Sequence, residues 1–315
     1  MSSPTGPAPG LPVRMPRPRQ PGRHRRPEPV AAPVGAPPLV LAVPGTPDDA
    51  IRGLAEEVLS IARSELPGLD ARIGYVDGEG DEFPALEAVL THVAAERDAR
   101  VNAAHEAGDQ EGQDAGAGPA AVTVPLLAGP DNALLRRIRH AVMSSGSAAE
   151  LTDALGPHPL LAEALHVRLS EAGLARADRA RLFTVATAAD GIILATVGGD
   201  EAVQAAGITG MLLSARLAVP VMAAALDEDG AIARTAEELR ESGSRQLALA
   251  PYLIGPEVAA GVPGTAAAEA DCAAAEALGA YGAVGKLVLA KYATVLGIPT
   301  QPSAQGAPYA EAPRQ

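Results

Sequence analysis

Apolar and polar positions along the chain form two alternating patterns. Leu39–Val43 is a continuous run of five apolar residues that ends at Pro44 and Gly45. In the next stretch, 47–63, apolar residues recur every three or four positions. Continuous apolar runs are typical of buried parallel strands, and the second spacing is typical of helices with one buried face. The sequence therefore predicts a strand, a tight turn and a helix, with Thr46 as the N-cap residue.

The same alternation continues along most of the chain. Segments rich in apolar residues predict strands over 39–43, 70–76, 121–127, 191–197, 220–226 and 246–254, and 150–155 is a further candidate for a short strand. Helical spacing predicts helices over 47–63, 84–97, 134–143, 160–172, 202–217, 232–241 and 283–296. Residues 98–118 lack this periodicity and are rich in Ala, Gly, Glu, Asp and Gln, so we expect a mobile insertion there.

The chain also contains an internal repeat. The matching pairs of segments are 39–50 with 192–203, 71–78 with 221–230, 124–131 with 250–257, and 155–165 with 278–288. Two strand–helix units in the same order predict two tandem α/β domains, over 39–174 and 175–298. Each domain is expected to have three layers, α/β/α, around a small parallel sheet.

Composition restricts the classes of function. The 315 residues suffice for two domains, but aromatic residues make up only 2% and Trp is absent, which disfavours readers of single-stranded nucleic acid. The net charge of −13 also makes a nucleic-acid partner improbable, although residues 1–38 form a Pro- and Arg-rich segment. We expect this segment and 299–315 to be disordered tails. The single cysteine, Cys272, excludes an intrachain disulfide. The sequence shows no membrane span and no secretion signal, so we expect a cytoplasmic protein.

Parallel α/β sheets bind ligands beyond the carboxyl ends of their strands. The sequence therefore predicts a cleft between the two domains at these strand ends. Gly198-Gly199 lacks the further residues of a nucleotide-binding loop, and a simple strand–helix turn is favoured there. The predicted cleft residues are Gly45, Thr46, Gly129, Asn132, Gly198, Gly199 and Glu257.

This layout resembles the sirohydrochlorin and cobalt chelatase family, the class II chelatases of the CbiX type, in its long tandem form. The resemblance covers about residues 39–298 and rests on the order and duplication of its motifs. It implies two chelatase-like domains and the insertion of Co²⁺ or Fe²⁺ into a tetrapyrrole, a lyase reaction. The motifs are the strand and turn at 39–50, IGYVDGEGDEFPAL (73–86), VTVPLLAGP (122–130) and LGPHPLLAEALHVRLSEAGL (155–174).

The positions that carry metal-binding histidines in this family differ here. Pro44 replaces the first histidine and Asp131 the second, and the repeat offers only Val197 and Glu257 at the matching positions. Histidine suits metal insertion because its pKa lies near ~6.5, so that it can bind the metal and accept pyrrole protons. Asp77, at the family's acidic position, could form a two-carboxylate metal site with Asp131; the alternative is two solvated carboxylates.

Two functional hypotheses remain open from the sequence. In the first, the chain is a chelatase-family protein that binds a tetrapyrrole, a divalent metal (Co or Fe) or both, with weakened or no insertion activity. In the second, it is a non-catalytic binding or scaffold paralogue that acts through a protein partner. The oligomeric state is left open. Five further histidines lack metal-ligand spacing, and we interpret them as structural or surface residues: His92, His105, His140, His158 and His166.

Overall fold

The computed structural model describes residues 31–108, 118–175 and 188–298. We call 31–175 the first half and 188–298 the second half. The strands are β1 (Leu39–Val43), β2 (Ala71–Tyr75), β3 (Val122–Pro125), β4 (Glu150–Leu151), β5 (Gly191–Thr196), β6 (Val221–Ala225), β7 (Leu247–Pro251) and β8 (Ala273–Ala274). The helices are α1 (Asp49–Glu65), α2 (Leu86–Ala107), α3 (Asn132–Ser144), α4 (Pro159–Glu171), α5 (Gly199–Leu217), α6 (Ala231–Glu241), α7 (Val262–Glu269) and α8 (Gly282–Leu296).

Each half contains one four-stranded parallel sheet. The strand order is β2-β1-β3-β4 in the first half and β6-β5-β7-β8 in the second. In register, Leu39 of β1 lies between Ala71 of β2 and Val122 of β3, and Ile192 of β5 lies between Val221 and Ala248. The repeat therefore extends to strand order and direction, and the prediction of two α/β/α units, each with a small parallel sheet, is confirmed.

The central strands are buried on both faces because helices cover both sides of each sheet. All five residues of β1 are buried, and successive residues point to opposite faces of the sheet, into two different hydrophobic cores. Leu39 and Leu41 face a core that the two halves share. Val40 and Ala42 face α2 and α3 in a separate outer core. Such strands have no polar face, which explains their continuous apolar runs.

The last helix of each half packs against the sheet of the other half. Helix α8 lies along α1 and contacts β3, and α4 lies along α5 and contacts β7. At the crossing of α1 and α8, a Cβ on Gly285 would lie 2.6 Å from Ile61. Arg168 of α4 donates to the carbonyl of Leu278, and the Tyr292 hydroxyl of α8 donates to the carbonyl of Pro37 at 2.8 Å. The two halves are thus joined through exchanged helices as well as through surface contacts.

Several element boundaries differ from the sequence prediction. The N-cap of α1 is Asp48, whose carboxylate accepts the Ile51 N–H at 2.7 Å, so the assignment of Thr46 was wrong. Helix α2 continues to Ala107, so 98–107 is helical, and 109–117 lie outside the described residues. Ala32 donates to the carbonyl of Pro67, so the predicted tail contacts the fold before residue 39.

Two short elements, α7 and β8, were absent from the prediction. Most of the predicted 175–190 connector and all of 1–30 and 299–315 lie outside the described residues. The limits of the two domains therefore stay a prediction. Across the part of the chain that the structure describes, no helix is both long and apolar enough to cross a membrane.

Candidate functional site

The loops that follow the central strands of the two halves meet in a reciprocal contact. Gly45 follows β1 with φ of +83°, and a Cβ there would lie 2.3 Å from the carbonyl oxygen of Pro256. Its counterpart Gly198 follows β5 with φ of +110°, and a Cβ there would lie 2.9 Å from the carbonyl oxygen of Pro130. The loop after β1 therefore packs on the loop after β7, and the loop after β5 packs on the loop after β3.

These contacts bring several of the predicted cleft residues of the two halves close together. Pro44 and Pro256 are buried. Gly129 faces the ring of Tyr252, with 3.2 Å between its notional Cβ and Tyr252 Cε1. At the rim, the Asn132 amide donates to Glu201 at 2.6 Å. Thr46 and Gly199 are exposed at the edge. Five of the seven residues thus lie in a contact between the halves, and the role of all seven in binding a ligand stays a prediction.

Glu257 is the central polar residue of this contact. Its carboxylate accepts the backbone N–H groups of Ile254 at 2.8 Å and Gly255 at 2.7 Å in its own loop. It also accepts the Ala128 N–H of the first half at 3.3 Å. Burial raises the pKa of the Glu257 carboxyl above its ordinary value, and these three N–H donors act in the opposite direction. The side chain therefore ties the end of β7 to the end of β3.

Tyr252, which sequence reasoning did not single out, fills the space beside Glu257. It is fully buried, and its hydroxyl lies 3.2 Å from the Thr209 hydroxyl oxygen. Desolvation raises the pKa of Tyr252 to about 12. A Cβ on Gly156 would lie 2.1 Å from the tyrosine oxygen, so Gly156 leaves the room that this ring occupies. The matching residue of the first repeat is Leu126. Because aromatic residues are rare in this chain, the tyrosine at 252 was the sequence signal that could have identified this position.

The two carboxylates predicted to share a metal have separate structural partners. Asp131 is the N-cap of α3, and its Oδ1 accepts the N–H groups of Ala133 and Leu134 at 2.8 and 2.9 Å. Asp77, after β2, forms an ion pair with Arg137 of α3. Neither contact excludes a cation at these residues, so the shared metal site stays a prediction.

The described residues contain no group of three or more His, Cys, Asp and Glu side chains able to hold a metal ion. The histidines instead have other contacts. His158 is the N-cap of α4 and accepts the Leu160 N–H through Nδ1 at 3.1 Å. His166 accepts Arg216 Nε at 2.9 Å, and His92 pairs with Glu96. None of these three histidine contacts brings further metal-ligating side chains together into a group of three.

A groove of about 590 Å³ opens between α2 and α3, beyond the end of β2. Its apolar lining includes Val76 and Leu86, and its basic lining consists of Arg136, Arg137 and His140. Arg137 is neutralised by Asp77. Arg136 makes no hydrogen bond or ion pair with any described residue, so its charge is available to a ligand.

The amino-terminal turn of α2 also lines this groove. Its N-cap residue, Ala85, provides no side-chain hydrogen bond to the first-turn N–H groups, and Ala85, Leu86 and Glu87 all line the groove. The N–H groups at a helix start favour an anion, whereas the Glu87 carboxylate in the same turn opposes one. The groove was not predicted from the sequence. The available signal was at 136–140, where two arginines are followed one turn later by a histidine on a helix without acidic residues.

Comparison with known proteins gives similarity at the level of the fold. No family model and no curated protein matches the chain. Among solved structures, that of CbiX, described as the terminal enzyme for biosynthesis of siroheme in denitrifying bacteria, matches with a TM-score of 0.50 and 16% sequence identity. The match covers 82% of this chain and 98% of CbiX. The protein therefore has a CbiX-like chelatase fold that extends over both halves.

Proposed function

We propose that this protein binds a carboxylate-bearing tetrapyrrole, or a metal complex of one, without inserting the metal itself. The observation that carries the proposal is the groove between α2 and α3, with Arg136, which has no partner among the described residues, in its lining. The fold that it shares with CbiX supports the ligand class, because CbiX is described as an enzyme of siroheme biosynthesis.

The composition of the groove suits such a ligand. Arg136 and His140 can contact carboxylates, while Leu86, Val76 and Ala141 offer apolar surface to the macrocycle. Guanidinium–carboxylate pairs are charge-assisted and frequently bidentate, which gives them both strength and orientation. The macrocycle is larger than the groove, so we expect one edge of it to be held there while the remainder stays in solvent.

The absence of insertion follows from the residue at the end of β1. Metal insertion requires a donor that holds the ion and a base that removes pyrrole protons. Pro44 provides neither and is buried, and Gly45 beside it is packed against Pro256. A tetrapyrrole in the groove would therefore not meet a side chain that could deliver a metal from this position.

Titration of the purified full chain with sirohydrochlorin, followed by tetrapyrrole absorption, tests the binding. We expect saturable binding that is weakened about five- to tenfold by Arg136→Gln, the loss of one exposed charge-assisted contact. Arg139→Gln is the matched control, because Arg139 is exposed on the same helix and does not line the groove. Equal affinity for sirohydrochlorin in the wild type and both variants would refute the groove as the binding site. The absence of any spectral change would refute tetrapyrrole binding itself.

Addition of Co²⁺ or Fe²⁺ to the same mixture tests the second half of the proposal. We expect the absorption of the metallated product to appear no faster than in a protein-free mixture of metal and sirohydrochlorin. A rate clearly above this control would show that the protein is an active chelatase. The double variant Pro44→His, Asp131→His is expected to give no gain, because it buries an imidazole in a closed contact and removes the N-cap of α3.

A further inference from the structure

The outward face of α5 carries an apolar stripe without a partner among the described residues. Ile208, Met211 and Leu212 are 45%, 67% and 40% exposed, and their spacing places them on one side of the helix. They are three of the five large hydrophobic residues that are exposed in the described part of the chain. A grouped apolar surface of this kind marks an interaction site more often than isolated exposed residues do.

The equivalent helix of the first half shows that the fold does not require this stripe. The buried residues Ala55, Val58, Leu59 and Ala62 of α1 have the same spacing as Ala206, Thr209, Gly210 and Leu213 of α5. Alignment on this spacing places Ile208 opposite Glu57 and Met211 opposite Ser60, and both residues of α1 are exposed and polar. Leu212 lies opposite Ile61, which is apolar and packs against Gly285 of α8, so the apolar character is specific to the second half at Ile208 and Met211.

The strand beside α5 extends this surface. A Cβ on Gly210 would lie 3.3 Å from Val221 of β6, so α5 packs directly over that strand. Strand β6 is an edge of its sheet, pairs only with β5 among the described residues, and has the uncharged sequence VMAAA. The edge strand of the first sheet, β2, instead carries Arg72, which pairs with Asp70 and Glu96. Charged residues on edge strands oppose pairing with other chains, and β6 has none.

We propose that a second copy of this chain covers this face, with the two α5 helices antiparallel across a two-fold axis. The charges of the helix fit this arrangement, because Glu201 lies in its first turn and Arg216 in its last. They are separated by about 22 Å along the helix, at about 1.5 Å per residue. In an antiparallel pair, Glu201 of each copy faces Arg216 of the other, in addition to the hydrogen bonds that these two residues form with Asn132 and His166 of their own chain.

The position of the axis follows from the same two residues. The midpoint between Glu201 and Arg216 lies at Ile208 and Thr209, so the Ile208 side chains of the two copies meet near the axis, flanked by Met211 and Leu212. This is a closed, isologous contact, which limits assembly to a dimer. A single helix pair buries less than the roughly 1,600 Å² of a standard interface.

Sedimentation equilibrium of the full chain over a concentration series tests the dimer. We expect the wild type to be dimeric at micromolar concentration and Met211→Glu to raise the dissociation constant at least about tenfold, since it places a carboxylate in the apolar contact. Met143→Glu is the matched control, because Met143 is 75% exposed on α3, away from this face. A monomeric wild type would overturn the proposal, as would equal weakening by both variants.

Cross-linking tests the axis independently. In a Cys272→Ala background, Ile208→Cys is expected to form an intermolecular disulfide under mild oxidation, and Met143→Cys is not. Retention of the dimer in Met211→Glu, together with no cross-link at position 208, would assign dimerisation to another surface and refute this one. Binding of sirohydrochlorin by the monomeric Met211→Glu variant is expected to be unchanged, because α5 does not line the groove.

Discussion

The two halves of the molecule have the same strands and helices in the same order, yet equivalent residues have different roles. After β3, Asp131 caps the helix of its own half. After β7, its counterpart Glu257 accepts N–H groups from both halves. The outer surface differs in the same way, because α1 presents Glu57 and Ser60 where α5 presents Ile208 and Met211. The comparison teaches that a duplicated fold can keep its strand order and helix packing while equivalent positions acquire different contacts and different surfaces.

The largest expected effect concerns the reciprocal loop contact. Gly45→Ala should destabilise the protein by about 3 kcal/mol, because it adds a methyl group against the Pro256 carbonyl and forces a positive φ on alanine. Gly53→Ala in α1 is the control. Nothing lies within 4 Å of its added Cβ, and the change should stabilise the helix by about 1 kcal/mol. Urea denaturation of both variants measures the difference; similar free energies of unfolding would show that the contact between the halves is loose.

The second comparison is between the two equivalent acidic residues. Glu257→Ala should lower the free energy of unfolding by about 2–3 kcal/mol, since it leaves buried N–H groups on both sides of the contact unsatisfied. Asp131→Ala should lower it by only about 1 kcal/mol, the usual value of an N-cap. Equal losses in chemical denaturation would contradict the assignment of a bridging role to Glu257 alone.

The helices exchanged between the halves allow a test that depends on pH. His158 caps α4 through Nδ1, and burial lowers its pKa below the ordinary value of 6.5. The unfolded chain therefore takes up a proton first, so this contribution to stability is complete above about pH 6.5 and declines as the pH falls through that value. His158→Ala should lower stability by about 1 kcal/mol at pH 8 and reduce the pH dependence. A stability difference between wild type and variant that is the same at pH 5 and pH 8 would argue against this role.

The smallest expected effect is a gain at the equivalent helix. The N-cap of α8 is Tyr281, which provides no side-chain hydrogen bond. Tyr281→Asp should therefore raise the free energy of unfolding by about 0.5–1 kcal/mol, because an aspartate at this position can accept the unpaired first-turn N–H groups. Thermal denaturation at neutral pH measures the gain, and a loss would indicate that the tyrosine ring contributes more by packing than the cap would add.

Much of the fold could be predicted because its signals are local. Leu39–Val43 is apolar throughout and its repeat at 192–196 is apolar except for the buried Thr196, as is typical of strands buried on both faces. Helix α7 has the sequence VPGTAAAE and β8 is two residues long, so neither shows a recognisable period. The N-cap of α1 was placed two residues early because Thr46, Pro47 and Asp48 all suit a helix start, and only the backbone selects among them.

The candidate site was less accessible to sequence reasoning. The rule that ligands bind beyond strand ends identified the loops at Gly45, Gly129 and Gly198, but their packing against the opposite half depends on how the two sheets are oriented. The groove was missed for a similar reason, because Val76 and Arg136 are far apart in the sequence and are brought together by the packing of α2 against α3.

The exchange of α4 and α8 has a consequence for how the molecule comes apart. Each sheet is completed by a helix from the other half, and Arg168, Arg216 and Tyr292 form hydrogen bonds between the halves. Neither half could unfold alone without exposing the apolar surface that its neighbour covers. Despite its two sheets, the protein should therefore melt in one cooperative transition, and a peptide made of either half alone should be insoluble or unfolded until the complementary half is added.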